Sequence, residues 1–295
     1  MKATVAICTH NRAADVEEAL LSLIRQDFTD PFEVIVVDNR STDHTKQAVQ
    51  NAGQLTTVPV LYVYEEQLGL SVARNRAIRE ARGEYVLFLD DDAVACEGWI
   101  SGIVSLFESD PRIGCIGGKI VPAWEGGEPL WLPPENRTLY TILDFADGIV
   151  EMHKPAMPFG ANVSFRKSVF DVMKPFREDL GRVGSNLLSS EETELIDRIR
   201  VSYTVYYTPY AWVRHKIPRS RISRKWLLRR IYWQGVSKAV SSERKAGLFI
   251  QSFLKVPVFV LLSLFFFFDR RRIFRNVSKI MYNNGLINGI LRTHH

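Results

Sequence analysis

Four short apolar runs dominate residues 1–100: Ala3–Cys8, Val34–Val37, Val60–Tyr64 and Tyr85–Leu89. Helix-like segments at Asp15–Arg25, Thr42–Asn51 and Leu70–Ala81 separate them. A strand about every 25–30 residues, with a helix between, is the spacing of βαβ units and predicts an α/β fold on a parallel sheet. The runs are nearly all apolar, as expected when helices cover both faces of a sheet. Polar residues gather instead where each run ends: Thr9-His10-Asn11-Arg12, Asp38-Asn39, Glu65-Glu66-Gln67 and Asp90-Asp91-Asp92. Open α/β sheets bind ligands outside the carboxyl ends of their strands, so the four clusters mark one candidate edge. No GxGxxG follows the first run and no GxxxxGK[ST] occurs, which excludes a dinucleotide-binding half and a P-loop.

Beyond Asp92 the pattern is less regular. Glu97–Phe107 reads as helix, Ile113–Val121 as strand, and Pro122–Pro134 as a loop rich in Trp, Gly and Pro. Gly160-Ala161-Asn162 leads into a strand-like Val163–Phe165. A helix is expected to start at Ser189-Ser190-Glu191-Glu192 and run to about Val201, with Ser190 as N-cap and acids in the first turn suiting the dipole. Thr204–Val213 reads as strand, followed by His215, and Ser223–Val240 as a basic helix carrying Trp226, Tyr232 and Trp233.

Asp90-Asp91-Asp92 is the strongest local signal of chemistry. Carboxylates one residue apart at a strand end can approach a single hard cation, and oxygen ligands suit Mg²⁺ or Mn²⁺. Such a cation bridges diphosphate oxygens and neutralises charge on a departing phosphate. The alternative is a solvated acidic turn, but three uncompensated acids are a poor end for a buried strand.

Taken in order, five segments resemble the family 2 glycosyltransferases of GT-A fold. They are Cys8-Thr9-His10-Asn11-Arg12; Val36 to Asp43; Gln67 to Asn75, containing Gly69, Ser71 and Arg74; Leu89-Asp90-Asp91-Asp92; and Glu191 to Leu195. The resemblance covers about residues 3–240. It implies an α/β, Rossmann-like, mostly parallel sheet flanked by helices, with a C-terminal helical basic and apolar extension. It also implies a nucleotide-sugar-binding half at 1–100, an acceptor-side half at 101–222 and a basic helical region at 223–295.

The same resemblance implies roles. Asp38 is similar to a base-reading aspartate, with Thr9, Asn11 and Arg12 on the neighbouring loop; its alternative is to cap the next helix. Gly69, Ser71, Arg74 and Asn75 fall in the donor-binding segment, where a guanidinium can pair with diphosphate oxygens. Asp90 would face ribose or metal, Asp91 the donor, and Asp92 would ligate Mn²⁺ or Mg²⁺. Gly160 and Asn162 would border the donor sugar. Glu191-Glu192 stands where the family has Glu-Asp, so Glu192 is the expected general base and Glu191 the contender. His215 could be a third metal ligand or a structural histidine. Trp124 and Trp131 could stack on an acceptor sugar or simply pack. The implied reaction is a single displacement: one carboxylate takes the proton of an acceptor hydroxyl, which attacks the anomeric carbon opposite the leaving diphosphate.

Charge divides the chain unevenly. Residues 1–213 hold 20 Lys+Arg and 31 Asp+Glu, whereas 214–295 hold 18 Lys+Arg against only Glu243 and Asp269. Within this basic tail, Val256–Phe268 is an apolar run of 13 residues, short of the roughly 18–20 that span a bilayer. Extending it back to Ala246 includes Gln251, Lys255 and Pro257. Arg244-Lys245 precedes it and Arg270-Arg271-Arg272, Arg275 and Lys279 follow, so a segment lying in the plane of an anionic surface fits better than a single crossing. A buried helix, or a homodimer through the C-terminal helices, is the competing reading.

The three cysteines, Cys8, Cys96 and Cys115, have no ligand or disulfide spacing and read as reduced thiols. Met1-Lys2 leads straight into the first strand, unlike a secretory leader. The expected address is the cytoplasmic face of a membrane. The expected partners are a nucleotide-sugar donor and a saccharide or lipid-linked acceptor. Two other function classes compete: a catalytically inactive nucleotide-sugar-binding protein, and a nucleic-acid binder using the basic tail. The intact acid cluster opposes the first. The contiguous Phe265–Phe268, wrong for a solvated nucleic-acid face, opposes the second.

Overall fold

The computed structural model describes residues 1–184 and 186–292. They divide into two compact units. One comprises 1–127, 131–178 and 191–217; the other comprises 128–130, 179–190 and the chain from Pro218 onward.

The first unit alternates as expected: β1 (Ala3–Thr9), α1 (Ala13–Leu23), β2 (Phe32–Asp38), α2 (Thr45–Gly53), β3 (Val60–Tyr64), α3 (Leu70–Glu80) and β4 (Tyr85–Leu89). There follow β5 (Ala93–Ala95), α4 (Trp99–Ser109), β6 (Ile113–Trp124), β7 (Val150–Glu151), β8 (Asn162–Arg166), α5 (Val169–Val172), α6 (Glu191–Ile199) and β9 (Thr204–Ile217). One sheet holds them in the order β3-β2-β1-β4-β8-β6-β9-β5, with β7 on β9. The β3–β2–β1–β4 portion is parallel throughout. The remainder is mixed, with β8 antiparallel to both β4 and β6.

The apolar strands form elements here because both faces are covered: every residue of β2 and β4 is buried. β3, at the sheet edge, is largely accessible, so its apolar sequence has lost one covering neighbour. Trp99, fully buried, donates its indole N–H to Asn162 Oδ1 at 2.9 Å, so its polar atom is satisfied inside the core. β6 and β9 run past their expected ends because they pair with each other as far as Trp124 and Ile217. Trp124 therefore ends a strand and packs on Tyr140, ring centroids 5.1 Å apart, as in the packing alternative.

The second unit holds α7 (Arg224–Ser241), α8 (Lys245–Phe265) and α9 (Arg270–Arg292). Ser223 caps α7, its Oγ accepting from the Trp226 N–H at 3.1 Å. α7 and α9 approach backbone to backbone: a Cβ on Gly235 would overlap the Tyr282 carbonyl, and one on Gly285 the Tyr232 carbonyl. α8 corrects an expectation. The helix continues through Pro257 for 21 residues, long and apolar enough by length and composition to cross a membrane. It is not a buried helix either. Apart from Ser252 its residues are at least partly accessible, and only 6% of its most apolar window is buried.

Candidate functional site

Strand register builds the site. Thr9 pairs with Asp38, and Asp38 with Tyr64, so three strands end in one row at the carboxyl edge. Leu89 pairs with Asn162, so Asp90 leaves β4 beside the start of β8. Ala93 pairs with His215, and the Lys216 N–H donates to the Asp92 carbonyl at 2.9 Å. That pairing carries His215 to the acid cluster from 123 residues further along the chain than Asp92.

Asp90, Asp92 and His215 each offer a ligand atom, and these atoms lie within 4.8 Å of one another. Asp92 and His215 are buried, with His215 Nε2 3.2 Å from Asp92 Oδ1. His215 Nδ1 is buried without a hydrogen-bond partner. Arg12 Nη1 lies 2.6 Å from Asp92 Oδ2 and 3.5 Å from Asp91 Oδ1. Burial pushes the Asp91 carboxyl up; Arg12 opposes this, Asp92 and Asp90 reinforce it, and the result is about 7. Two carboxylates and an imidazole are donors that suit Mn²⁺ or Mg²⁺, so the residues fit a divalent cation.

The second acidic group stands at the start of α6. Ser190 precedes it with φ 83°, in the left-handed region rather than the extended conformation of an ordinary N-cap, so the expected cap does not form in that way. Arg74, from α3, places Nη1 3.1 Å from Glu191 Oε1 and 2.9 Å from Glu192 Oε1, and Nη2 3.6 Å from Asp90 Oδ1. Burial pushes the Glu192 carboxyl up, but the Arg74 charge and hydrogen bond overcome this and hold it below the usual glutamate range. Arg74 was expected beside the donor diphosphate; its guanidinium instead rests on the acids of α6.

The other candidate residues divide between surface and scaffold. Asn11 is exposed, with φ 55°, and its Oδ1 accepts from the Thr42 N–H at 2.7 Å. Asp38 is buried, accepting from the Ser41 N–H at 2.8 Å and the Tyr62 hydroxyl at 2.7 Å. Asp38 does not cap α2, whose first residue Thr45 donates its N–H to Asp43 Oδ1 instead; the bond from Ser41 to Asp38 lies within the loop at the sheet edge. The Gly69 N–H donates to Asn39 Oδ1 at 2.8 Å at the start of α3, and Ser71 is buried. Asn75 and Asn162 are scaffold. Asn75 Nδ2 donates to the Phe176 carbonyl at 2.9 Å and Glu178 Oε1 at 3.1 Å, and its Oδ1 accepts from the Phe176 N–H. Asn162 is fully buried, with Nδ2 on the Lys119 and Ala211 carbonyls and Oδ1 on Trp99. Donor contact by the Asn162 side chain is therefore corrected: its amide joins β8 to α4, β6 and β9. Gly160, two residues earlier, lies directly over Arg74 and Glu192.

A GT-A-like sheet edge with an acid–histidine cluster and a second acidic pair defines a class of transferase. Residues 4–173 match the Glycosyl transferase family 2 family, and the chain belongs to it. It is 29% identical over 244 residues to the glucosyl-dolichyl phosphate glucuronosyltransferase of Haloferax volcanii, covering 81% of this chain and 77% of that one. It is 24% identical over 247 residues to the succinoglycan biosynthesis protein ExoM of Rhizobium meliloti, covering 78% and 72%. Among solved structures it resembles the mannosyltransferase PcManGT from Pyrobaculum calidifontis in complex with GDP-Man and Mn²⁺. The TM-score is 0.66 at 20% identity, over 100% of this chain and 88% of that one. S. aureus TarS matches at TM-score 0.56 and 20% identity over 82% of this chain, which spans 40% of that longer protein. The two structural likenesses show the GT-A fold. The chain is a family 2 glycosyltransferase.

Proposed function

We propose that the chain transfers a sugar, with inversion, from a nucleotide-diphosphate sugar to an acceptor hydroxyl. The observation that carries this reading is the juxtaposition, through Arg74, of a cation-compatible cluster (Asp90, Asp92, His215) with the glutamates that open α6, Glu191 buried and Glu192 partly so. When bound at Asp90, Asp92 and His215, Mn²⁺ or Mg²⁺ supplies charge neutralisation for the diphosphate. Residues 1–100 hold the nucleotide: Asp38 faces the base with Thr9 and Asn11 beside it, and Arg12, Gly69, Ser71 and Asp91 border the ribose and phosphates. Glu192 takes the proton of the acceptor hydroxyl; held ionised by Arg74, it is in the accepting state at neutral pH. Residues 101–222 carry the acceptor side, with Gly160 beneath the reacting sugar.

The acceptor is a lipid-linked saccharide, a reading supported by the glucosyl-dolichyl phosphate in the name of the Haloferax relative. Residues 223–295 bring the chain to the anionic cytoplasmic face of a membrane through the accessible apolar side of α8 and its basic flanks. The test of donor binding is a thermal-shift panel of nucleoside diphosphates and nucleotide-sugars, with and without Mn²⁺. Ligands that bind only the folded chain raise its melting temperature. A Mn²⁺-dependent rise with one nucleotide and its sugar conjugate is expected; no rise with any of them refutes the donor assignment.

A further inference from the structure

We infer that Arg74 acts on the acidic pair of α6 rather than on the donor diphosphate. It is the positioning residue that aims Glu192, and Gly160 is the residue that leaves room for the pair. The inference rests on the reading of Glu192 as the base.

Arg74 is 2% exposed. Its guanidinium carbon lies 5.9 Å from the Phe88 ring centroid and 5.4 Å from that of Phe176, so two aromatic rings flank it. From this slot its nitrogens face acids of two elements: Glu191 and Glu192 at the start of α6, and Asp90 at the end of β4. A diphosphate contact would require the guanidinium to leave the aromatic slot. It would also break its ion pairs with the buried Glu191 and the partly buried Glu192, and losing an ion pair to a buried carboxylate is strongly unfavourable. The planar fork of arginine suits the bridging role, because one nitrogen spans both glutamates while the other faces Asp90. The arrangement ties the carboxylate that takes the proton to the cluster that holds the departing diphosphate.

Gly160 gives the independent observation. Its φ is not in the left-handed region, so backbone conformation does not demand glycine there. Space does: a Cβ at this position would overlap both Arg74 Nη2 and Glu192 Oε1. Glycine at 160 is explained by the ion pair beneath it.

The test uses the full chain and three variants, Arg74→Lys, Arg74→Met and Gly160→Ala. Binding is read by calorimetry with UDP and GDP in the presence of Mn²⁺. Turnover is read as hydrolytic release of the better-bound diphosphate from its nucleotide-sugars, water standing in for the acceptor hydroxyl and giving its proton to the base. Arg74→Met and Gly160→Ala should lower kcat by about 10²-fold or more, the scale of a misplaced general base, with the diphosphate Kd moving by less than about threefold. Arg74→Lys should fall less than Arg74→Met. Gly160→Ala keeps every charge and every core side chain, so it carries the test if Arg74→Met fails to fold. A Kd raised tenfold or more by Arg74→Met at unchanged kcat would put the guanidinium on the diphosphate and overturn the inference. So would a Gly160→Ala variant with wild-type kcat. A Glu192→Gln chain that keeps wild-type kcat would instead overturn the reading of Glu192 as the base.

Discussion

In β4, Tyr85 to Leu89 are each 2% exposed or less, whereas in α8 Phe253, Leu254, Leu261, Leu264 and Phe265 are 62–73% exposed. The two runs read alike as apolar sequence. The first is matched by β1, β8 and the helices over the sheet; the second meets α9 along one side and nothing among the described residues along the other. An apolar run thus predicts removal from water without saying what does the removing. Charge separates the regions in the same sense: the sheet region is acidic around its edge, and the helical region is basic at both ends of α8. An exposed apolar face this long, rimmed by cations, is what the proposed contact with an anionic lipid surface requires.

The largest effect is expected at the sheet edge. Asp92→Ala should leave the fold intact and remove Mn²⁺-dependent turnover, with a loss of about 10³-fold for several kcal/mol of charge stabilisation. Retained Mn²⁺ stimulation would return the acid cluster to a solvated turn. Glu192→Gln should cost about 10²-fold or more in kcat with donor binding unchanged. Because Arg74 holds the Glu192 carboxyl down, wild-type kcat should persist as pH falls and drop only below the ordinary glutamate range. If Glu191→Gln shows the kinetic pattern instead, the two glutamates exchange roles.

At the basic end, replacing Arg270, Arg271 and Arg272 with Gln should weaken flotation on phosphatidylserine vesicles by up to about 10²-fold, at about 1 kcal/mol per cation. Flotation that ignores lipid charge and salt, with α8 shielded from protease, would make α8 a true span. No flotation, with a dimer in light scattering, would give the face to a second copy. The smallest effect is expected on the exposed face of α8. Leu264→Ala should change stability by less than about 0.5 kcal/mol, while Leu87→Ala, the same chemistry in the sheet, should cost about 2–5 kcal/mol in urea unfolding.

Much of the site was legible because it is local. Strand ends, the Asp90-Asp91-Asp92 run and the first turn of α6 are each written in a few adjacent residues. What escaped depends on partners far apart in the chain. Arg74 meets Glu191 across 117 positions, and Arg12 meets Asp92 across 80. No local spacing says which carboxylates a guanidinium will meet. Asn162 was misread for a related reason: a polar residue at a strand end looks like a ligand contact until the register sets it among Trp99, Lys119 and Ala211. Pro257 marks no boundary, since one missing N–H does not end a helix with 12 residues before it and eight after.

Arg12 has a practical consequence for handling the protein. Because its guanidinium already lies against Asp92 and Asp91, the acid cluster carries a counter-ion supplied by its own chain. A divalent cation bound there would then not be needed to hold the fold, unlike the zinc of a small finger domain, whose removal unfolds the chain. Protein purified and stored in EDTA should melt where the untreated protein does and regain full turnover when Mn²⁺ is added back.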